Sequence, residues 1–276
     1  MSKTGLLRLR RLCAGIALAG LAGCTAVQTT GSGAVGVDRQ QYMSGLVSEQ
    51  ELESEAGTQY DQVLAQARAQ GALDQNAAQV KRVQAVARRL IAQVGVFRPD
   101  ARNWDWEVHV LSSKEVNAWC MPGGKIAVYT GLIDSIKPSD AELAAVMGHE
   151  ISHALREHVR EQVSQQMVTN VGLSILAAVT GSNATADLGN KLTEVMFTLP
   201  NSRTHETEAD RMGVELAARA GYDPHAAVTL WQKMAAQDAG GPPEFLSTHP
   251  SSSTRIQDLQ AIATQMQPLY RQATGK

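Results

Sequence analysis

The segment His149-Glu150-Ile151-Ser152-His153 is an H-E-x-x-H motif, and it limits what this chain can fold into more than any other feature. Side chains four residues apart on an α-helix project from one face, so His149 and His153 can bind one zinc ion at about 2.0–2.1 Å each. Glu150 lies beside that face and can take a proton from a metal-bound water, whose pKa zinc lowers to roughly 7. The motif therefore predicts a helix that carries a hydrolytic zinc centre.

The residues around the motif support this helix. Ser139 and Glu142 form an S-x-x-E capping box, which starts a helix. Its broad apolar side is made of Leu143, Val146, Met147, Ile151, Ala154 and Leu155. Two histidines and a glutamate on such a helix need polar partners, which a metal ion supplies; the alternative is a surface helix with ordinary hydrogen-bonded histidines. His158, poorly spaced to share the metal, is expected to be a charged helix-terminal residue that complements the helix dipole.

Residues 1–23 are typical of a secretory signal rather than of a folded domain. A basic start is followed by an apolar run at residues 12–21 that is too short to span a bilayer. The run ends in Leu21-Ala22-Gly23-Cys24, which resembles a bacterial lipobox and predicts cleavage before Cys24 and lipidation of that cysteine. Thr25, rather than aspartate, at the next position favours the outer membrane. The alternative is a general secretory signal with an incidental cysteine.

Composition divides the rest of the chain into two parts. Residues 24–47 are rich in Thr, Gln, Gly and Ser, which is typical of a flexible tether between a lipid and a domain. Residues 48–276 are long enough for one domain with a substantial core. The net charge of −2 gives no indication of nucleic-acid binding. Cys120 is the one cysteine beyond the signal and the lipidation site, so we expect no intramolecular disulfide and read Cys120 as a small buried apolar residue.

The pattern along residues 48–276 predicts an α+β domain that is mostly helical. Two strands, residues 106–111 and 125–130, should form a small antiparallel sheet beside the motif helix, with Pro122-Gly123-Gly124 turning the chain before the second strand. The apolar segment 167–179 is too short and too polar to span a membrane. It is predicted to be a core helix or a membrane-facing amphipathic element.

A catalytic zinc ion usually has three protein ligands, so the motif needs one more. Glu206 and Asp210 are four residues apart on one predicted helical face. Glu206 can bind zinc while Asp210 accepts a hydrogen bond from a zinc histidine, which fixes the tautomer of that ring. The alternative is a solvated acidic helix face, and Glu208 and Glu194 are rival ligands on composition alone.

A family resemblance comes from several motifs taken together. The segment H-E-I-S-H-A-L-R-E-H, followed by S-R-x-x-E-x-E-A-D at residues 202–210, resembles the HtpX-like and CAAX-prenyl-endopeptidase-related zinc metalloproteases. Asn117-Ala118, Pro122-Gly123-Gly124 and Thr248-His249-Pro250 resemble the same family. The lipobox places the chain near the periplasmic lipoprotein members of the LoiP and YcaL type, which are BepA-like without a repeat domain.

The resemblance implies a zincin-type fold of the gluzincin class and one Zn²⁺ per chain. The implied roles are zinc ligation by His149, His153 and Glu206, general-base catalysis by Glu150, and a hydrogen bond from a zinc histidine to Asp210. His249 is expected to come close to the metal, where it either stabilises the oxyanion or occupies the open zinc position. Arg255 is a weaker candidate for the same neighbourhood.

The function expected from these motifs is zinc-dependent hydrolysis of peptide bonds. A substrate segment is predicted to add as a strand along Lys125, Ile126, Ala127 and Val128, a mode with little sequence preference. That mode suits unfolded or misassembled cell-envelope proteins, met by an enzyme that its lipid holds to the envelope, at the outer membrane facing the periplasm. One alternative is a metal-stabilised chaperone or assembly factor for outer-membrane proteins, without proteolysis. Another is a membrane-interface scaffold built on residues 167–179.

Overall fold

The computed structural model describes residues 24–180, 188–236, 244–249 and 253–275, and along residues 170–180 it describes the backbone alone. The predicted signal segment, residues 1–23, lies outside the described residues. The described residues 244–249 contain one short helix.

Helices dominate the described residues and the strands are short. The helices are α1 (Glu49–Ala69), α2 (Ala77–Ile91), α3 (Asp140–Leu155), α4 (His158–Thr180), α5 (Leu188–Phe197), α6 (Arg203–Arg219), α7 (Ala226–Ala236), α8 (Glu244–Thr248) and α9 (Ser253–Thr274). The strands are β1 (Thr25–Val27), β2 (Gln41–Met43), β3 (Glu107–Leu111), β4 (Ala118–Met121) and β5 (Lys125–Tyr129). The predicted class, α+β and mostly α, is confirmed.

Helix α3 carries the H-E-x-x-H motif through the middle of the core. The Ser139 hydroxyl accepts a hydrogen bond from the Glu142 amide, and the Glu142 carboxylate accepts one from the Ser139 amide, so the predicted capping box is present. Every residue from Glu142 to Leu155 is buried. Since water does not reach this helix freely, protein groups or a bound ion must satisfy its polar side chains.

Helices α3 and α6 approach each other closely at a pair of glycines. A Cβ atom on Gly148 would lie 2.9 Å from the carbonyl oxygen of Gly213, and one on Gly213 would lie 2.7 Å from the amide nitrogen of His149. Any side chain at either position would push the helices apart. Glycine inside a helix costs about 1 kcal/mol relative to alanine. The close approach is what brings the acidic face of α6 to the two histidines of α3.

The sheet beside α3 differs from the predicted one. It has three strands in the order β3-β5-β4, with β5 parallel to β3 and antiparallel to β4. The prediction of an antiparallel pair made of residues 106–111 and 125–130 is therefore wrong. Residues 118–121 were not predicted as a strand, yet they form the hairpin with β5 through the Pro122-Gly123-Gly124 turn. Strand β4 pairs with one edge of β5 in this antiparallel hairpin, so β3 pairs with the other edge, in parallel.

The segment predicted to be a flexible tether, residues 24–47, is folded onto the domain. Strands β1 and β2 pair in antiparallel register, and Val35, Val37, Met43 and Val47 are buried. Arg39 forms ion pairs with Glu161 on α4 and Glu208 on α6. A composition rich in small polar residues does not exclude packing when a few apolar and charged residues find partners elsewhere in the chain.

The apolar segment 167–179 belongs to helix α4 in its backbone. Side chains of residues 170–180 lie outside the described part, so the choice between a core helix and a membrane-facing element stays a prediction. Among the described residues, no helix combines the length and apolar character needed to cross a membrane.

Candidate metal centre

The two histidines of the motif and Glu206 converge on one point. The Nε2 atoms of His149 and His153 lie 3.1 Å apart. Glu206 reaches them from the first turn of α6, which begins after an N-cap at Ser202, with Oε2 3.5 Å from His149 Nε2 and Oε1 3.4 Å from His153 Nε2. All three side chains are buried. The predicted zinc ligands are therefore within bonding reach of a single ion.

His249 completes a group of four. Its Nδ1 atom lies 3.2 Å from His149 Nε2 and 2.9 Å from Glu206 Oε1, and its ring stacks on Phe245 with centroids 4.4 Å apart. One ligand atom from each of the four residues lies within 4.8 Å of the others. The structure thus brings His249 to the metal position, and both predicted roles, fourth ligand and oxyanion donor, remain open to it.

The donor set fits zinc. In a tetrahedral site with bonds of 2.0–2.1 Å, neighbouring ligand atoms lie about 3.3 Å apart. The ring-nitrogen and carboxylate separations of 2.9–3.5 Å in this group match that spacing. The predicted cofactor, zinc, binds imidazole nitrogens and carboxylate oxygens, and the four side chains can hold a single ion.

His149 is oriented by a carboxylate on its far side. Its Nδ1–H donates to Asp210 Oδ1 at 2.9 Å, so the Nε2 lone pair points toward Glu206. Burial alone raises the pKa of Asp210, but the guanidinium of Arg255 and the hydrogen bond from His149 outweigh it and lower that pKa. Arg255 donates to both Asp210 oxygens at 2.7 Å and forms an ion pair with Glu206 Oε2 at 2.8 Å. The role predicted for Asp210 therefore has the required geometry.

His153 is oriented through a second imidazole. Its Nδ1 atom lies 2.9 Å from His158 Nδ1, and His158 Nε2 lies 3.0 Å from Glu208 Oε2. His158 is fully buried, and burial holds its pKa well below the ordinary value, so it is neutral. The prediction of a charged helix-terminal histidine is wrong, because the turn between α3 and α4 folds His158 into the core beneath His153.

The rival ligands are placed elsewhere. Glu208 lies on α6 but faces Arg39 and Arg156 rather than the four-residue group. Glu194 is on α5 and pairs with Lys191 at 2.6 Å, with its side chain 41 % exposed. Of the three glutamates weighed as third ligand, only Glu206 lies with the two histidines.

Glu150 occupies the position expected of a general base. It is buried, and its Oε1 atom has no hydrogen-bond partner within the described part of the chain. His249 Nε2 lies 3.5 Å from that oxygen. Burial raises the pKa of Glu150 above its ordinary value, only partly offset by His249 and His149. A buried carboxylate oxygen left without a partner beside a metal site is suited to bind and deprotonate a water.

The cleft in front of Glu150 opens on β4, not on β5. Strand β5 is hydrogen bonded on both edges, so Lys125, Ile126, Ala127 and Val128 cannot receive an added strand, and that prediction is wrong. Strand β4 has an unpaired edge within the described sheet. It borders a cavity of about 40 Å³, lined also by Glu150, His153, Phe197 and His249. That volume has room for a few waters and not for a peptide.

Sequence reasoning missed the residues that support the site from behind. The network of His158, Glu208, Arg156 and Arg39 lies between the N-terminal segment and His153. One signal was available, because His158 and Glu208 lie within the two segments that carry the family resemblance, H-E-I-S-H-A-L-R-E-H and S-R-x-x-E-x-E-A-D. Arg39 had no such signal.

Comparison with known proteins agrees with this site. The chain is 43 % identical over 150 residues to the mitochondrial metalloendopeptidase OMA1 of Arabidopsis thaliana, covering 54 % of this chain and 30 % of that protein. It is 38 % identical over 179 residues to the OMA1 metalloendopeptidase of Bos taurus, covering 60 % and 34 %. It is 33 % identical over 183 residues to the beta-barrel assembly-enhancing protease of Escherichia coli, covering 60 % and 36 %.

The chain spans about a third of the length of these three relatives. They support the expected enzyme class, a metalloendopeptidase, and leave the predicted LoiP and YcaL branch unresolved. The model of Peptidase family M48 matches residues 77–263, which include every residue of the metal centre. The chain belongs to peptidase family M48.

Proposed function

We propose that this chain is a zinc-dependent endopeptidase that hydrolyses peptide bonds of unfolded or misassembled cell-envelope proteins. The observation that carries the proposal is the unpartnered Oε1 atom of Glu150 beside the His149, His153 and Glu206 donors. A site built only to stabilise the fold has no use for a buried base. When bound, zinc supplies a Lewis acid that polarises the scissile carbonyl and acidifies the attacking water.

The residues of the chain divide the chemistry among them. Glu150 takes the proton of the attacking water at its free carboxylate oxygen and passes it to the leaving nitrogen as the peptide bond breaks. His249 Nε2 lies beside that oxygen at 3.5 Å. It donates to the developing oxyanion, or its Nδ1 holds the remaining metal position until substrate arrives; either role agrees with the distances. Asp210 keeps His149 aimed at the metal throughout.

The substrate lies along the unpaired edge of β4. The Tyr129 amide donates to the Asn117 carbonyl, so odd-numbered residues of β4 bond β5 and even-numbered ones face outward. Ala118 and Cys120 therefore present main-chain groups to an added strand. The end of helix α5, residues 195–197, lines the cavity beside this edge, and Phe197 packs edge-to-face on Trp119. Peptide entry requires α5 to move, which favours extended, unfolded chains as substrates.

We further propose that the enzyme is anchored in the bacterial envelope through lipid on Cys24, at the outer membrane facing the periplasm. The lipobox at residues 21–24 supports this, as does the similarity to a protease of Escherichia coli named for beta-barrel assembly. The OMA1 relatives are named as mitochondrial, so location is tested directly. Growth with a radiolabelled fatty acid should label the native chain and not the Cys24→Ala variant; equal labelling, or none, rejects the anchor.

The catalytic proposal is tested with Glu150→Gln. This variant should bind zinc as the parent does, because Glu150 is not a ligand, and lose casein cleavage by about 10²–10⁴-fold, the usual contribution of a general base. Chelator should abolish cleavage by the parent, and added zinc should restore it. The matched control is Glu142→Gln, a buried glutamate on the same helix outside the cleft, which should cleave normally.

Two results would overturn the proposal. Full cleavage by Glu150→Gln removes Glu150 from the chemistry. A parent that binds zinc, cleaves nothing and still protects unfolded envelope proteins from aggregation supports the chaperone alternative instead.

A further inference from the structure

We propose that His158 is a positioning residue for the zinc ligand His153. His158 accepts a hydrogen bond from Nδ1–H of His153 and donates one from its own Nε2–H to Glu208. These two hydrogen bonds keep the Nε2 lone pair of His153 directed at zinc. This inference rests on the zinc centre of the proposed function. It assigns a task to a histidine that belongs to neither the ligand set nor the cleft.

The direction of the hydrogen bonds follows from the end of the chain of contacts. Glu208 Oε2 also accepts from Arg156 at 3.1 Å, so it is an acceptor and the nitrogen of His158 that faces it, at 3.0 Å, must carry a proton. A neutral imidazole then has a bare Nδ1, which lies 2.9 Å from His153 Nδ1. His153 must therefore donate from Nδ1, and its Nε2 is left bare and facing the other donors.

The fold holds the His158 ring in this orientation from several sides. Glu157 adopts a left-handed conformation, with φ of 51°, and this breaks the path of α3 so that α4 starts with His158 below His153. The ring stacks on His205 at a centroid distance of 4.2 Å and an interplanar angle of 9°. A stacked, fully buried ring cannot rotate away from its two hydrogen-bond partners without leaving them unsatisfied.

Glu208 is held in turn by two arginines. Arg156 is fully buried and donates to Oε2, while Arg39 donates from its Nε to Oε1 at 2.6 Å. These contacts keep the carboxylate charged and fixed at the point where His158 needs an acceptor. Through Arg39, the folded N-terminal segment takes part in holding a zinc ligand more than a hundred positions away in the sequence.

The test compares two substitutions at the same site. His158→Leu fills the space without an acceptor, and His158→Asn keeps an acceptor near the position of Nδ1. Zinc affinity, measured by competition with a chromogenic chelator, should fall about 10–100-fold in His158→Leu, the usual loss when the partner of a zinc histidine is removed. His158→Asn should recover most of that affinity. A histidine that merely fills space predicts the reverse order, because leucine is the better apolar filler.

The matched control is His109→Leu. His109 also contacts a carboxylate, Asp74 at 2.6 Å, but lies on β3 away from the metal centre, so zinc affinity should not change. Equal affinity for parent and His158→Leu, or weaker binding by His158→Asn than by His158→Leu, overturns the proposal. A parent that binds no zinc would reject the proposed function itself, so the two failures are distinguishable.

A measurement on the unaltered protein covers the case in which His158→Leu does not fold. Ring-nitrogen NMR of histidine-labelled protein reports which nitrogen of each imidazole carries the proton. The proposal requires the proton on Nε2 of His158 and on Nδ1 of His153, with the zinc-bound form keeping the same pattern. A proton on Nδ1 of His158 overturns it.

Discussion

The two histidines of the H-E-x-x-H motif on α3 are one helical turn apart, yet the molecule holds them in different ways. His149 donates directly to a carboxylate, Asp210, which Arg255 neutralises. His153 contacts no carboxylate through its Nδ1 and reaches Glu208 through the imidazole of His158. The Nε2 atoms of both rings face Glu206 at 3.4–3.5 Å, and the rings differ in what holds their Nδ1 atoms.

The difference follows from where α6 crosses α3. The crossing at Gly148 and Gly213 puts Asp210 against His149, one turn beyond Glu206. Glu208, two residues from Glu206, faces away from the metal and cannot reach His153 itself. His158 bridges the remaining distance. The comparison shows two ways of holding a buried imidazole: by a carboxylate directly, or by a carboxylate through a second imidazole.

The largest expected effect is on the free energy of unfolding, when the arginine that supports Asp210 or the one that supports Glu208 is removed. Arg255→Leu leaves the buried Asp210 and Glu206 without their cation, and should lower the free energy of unfolding by about 3–5 kcal/mol. Arg39→Leu should cost only about 1–3 kcal/mol, because Arg39 is 31 % exposed and both of its partners keep other donors. Glu208 keeps Arg156, and Glu161 keeps His205 and the Tyr42 amide. Urea unfolding of the metal-free proteins measures both. Equal losses would mean that the two supports are energetically alike.

The carboxylates themselves sharpen the comparison. Asp210→Asn should weaken zinc binding by about 10–100-fold, because Asp210 touches the ring of a ligand. Glu208→Gln should weaken it by less than about tenfold, because its effect passes through His158 and an amide oxygen can still accept. Chelator competition gives both constants. A larger loss for Glu208→Gln would show that the relayed support matters more than the direct one.

The smallest expected effect is on the pH dependence of stability. Burial lowers the pKa of His158 well below 6.5 and that of His153 to about 3, so the unfolded chain binds protons that the folded chain excludes. Stability from these groups is full above pH 6.5 and falls as the pH drops below it. His158→Leu removes one such proton and should reduce the slope between about pH 5.5 and 4.5 by about 1.4 kcal/mol per pH unit.

That slope is measured by urea unfolding of the metal-free parent and variant across the same buffers. Taking the difference between them cancels the opposite contributions of Glu150 and His249, whose pKa values are raised in the folded protein. Identical slopes would mean that His158 is protonated in the folded state, contrary to the relay.

Features that depend on local spacing were predictable from the sequence. His149 and His153 share a face because an α-helix repeats every 3.6 residues, and the same rule places Asp210 one turn after Glu206. The Ser139 and Ser202 caps mark where those helices begin. In each case the partners lie within a few residues of each other, so one element determines their relation.

Features that depend on the order of packing were not predictable. The sequence pattern predicts no strand at residues 118–121 and places the substrate on β5, because the hydrophobic pattern of a strand does not say which neighbours it pairs with. The polar composition of residues 24–47 suggested a tether, although its few apolar residues are buried in the domain. His158 was predicted to be a charged residue at a helix end. That prediction was wrong because the burial of His158 depends on α4, α6 and the N-terminal segment together, which the local sequence does not show.

The sequence by itself determined the chemistry: two imidazoles and a base on one helix, a carboxylate on another, and their spacing within each, since backbone geometry fixes positions a turn apart. Only the tertiary structure decided which carboxylate supports which histidine and which edge of the sheet stays unpaired. The contacts among these histidines and carboxylates join residues 43 to 100 positions apart, and they depend on how closely two helices can approach and which groups are left buried without a partner.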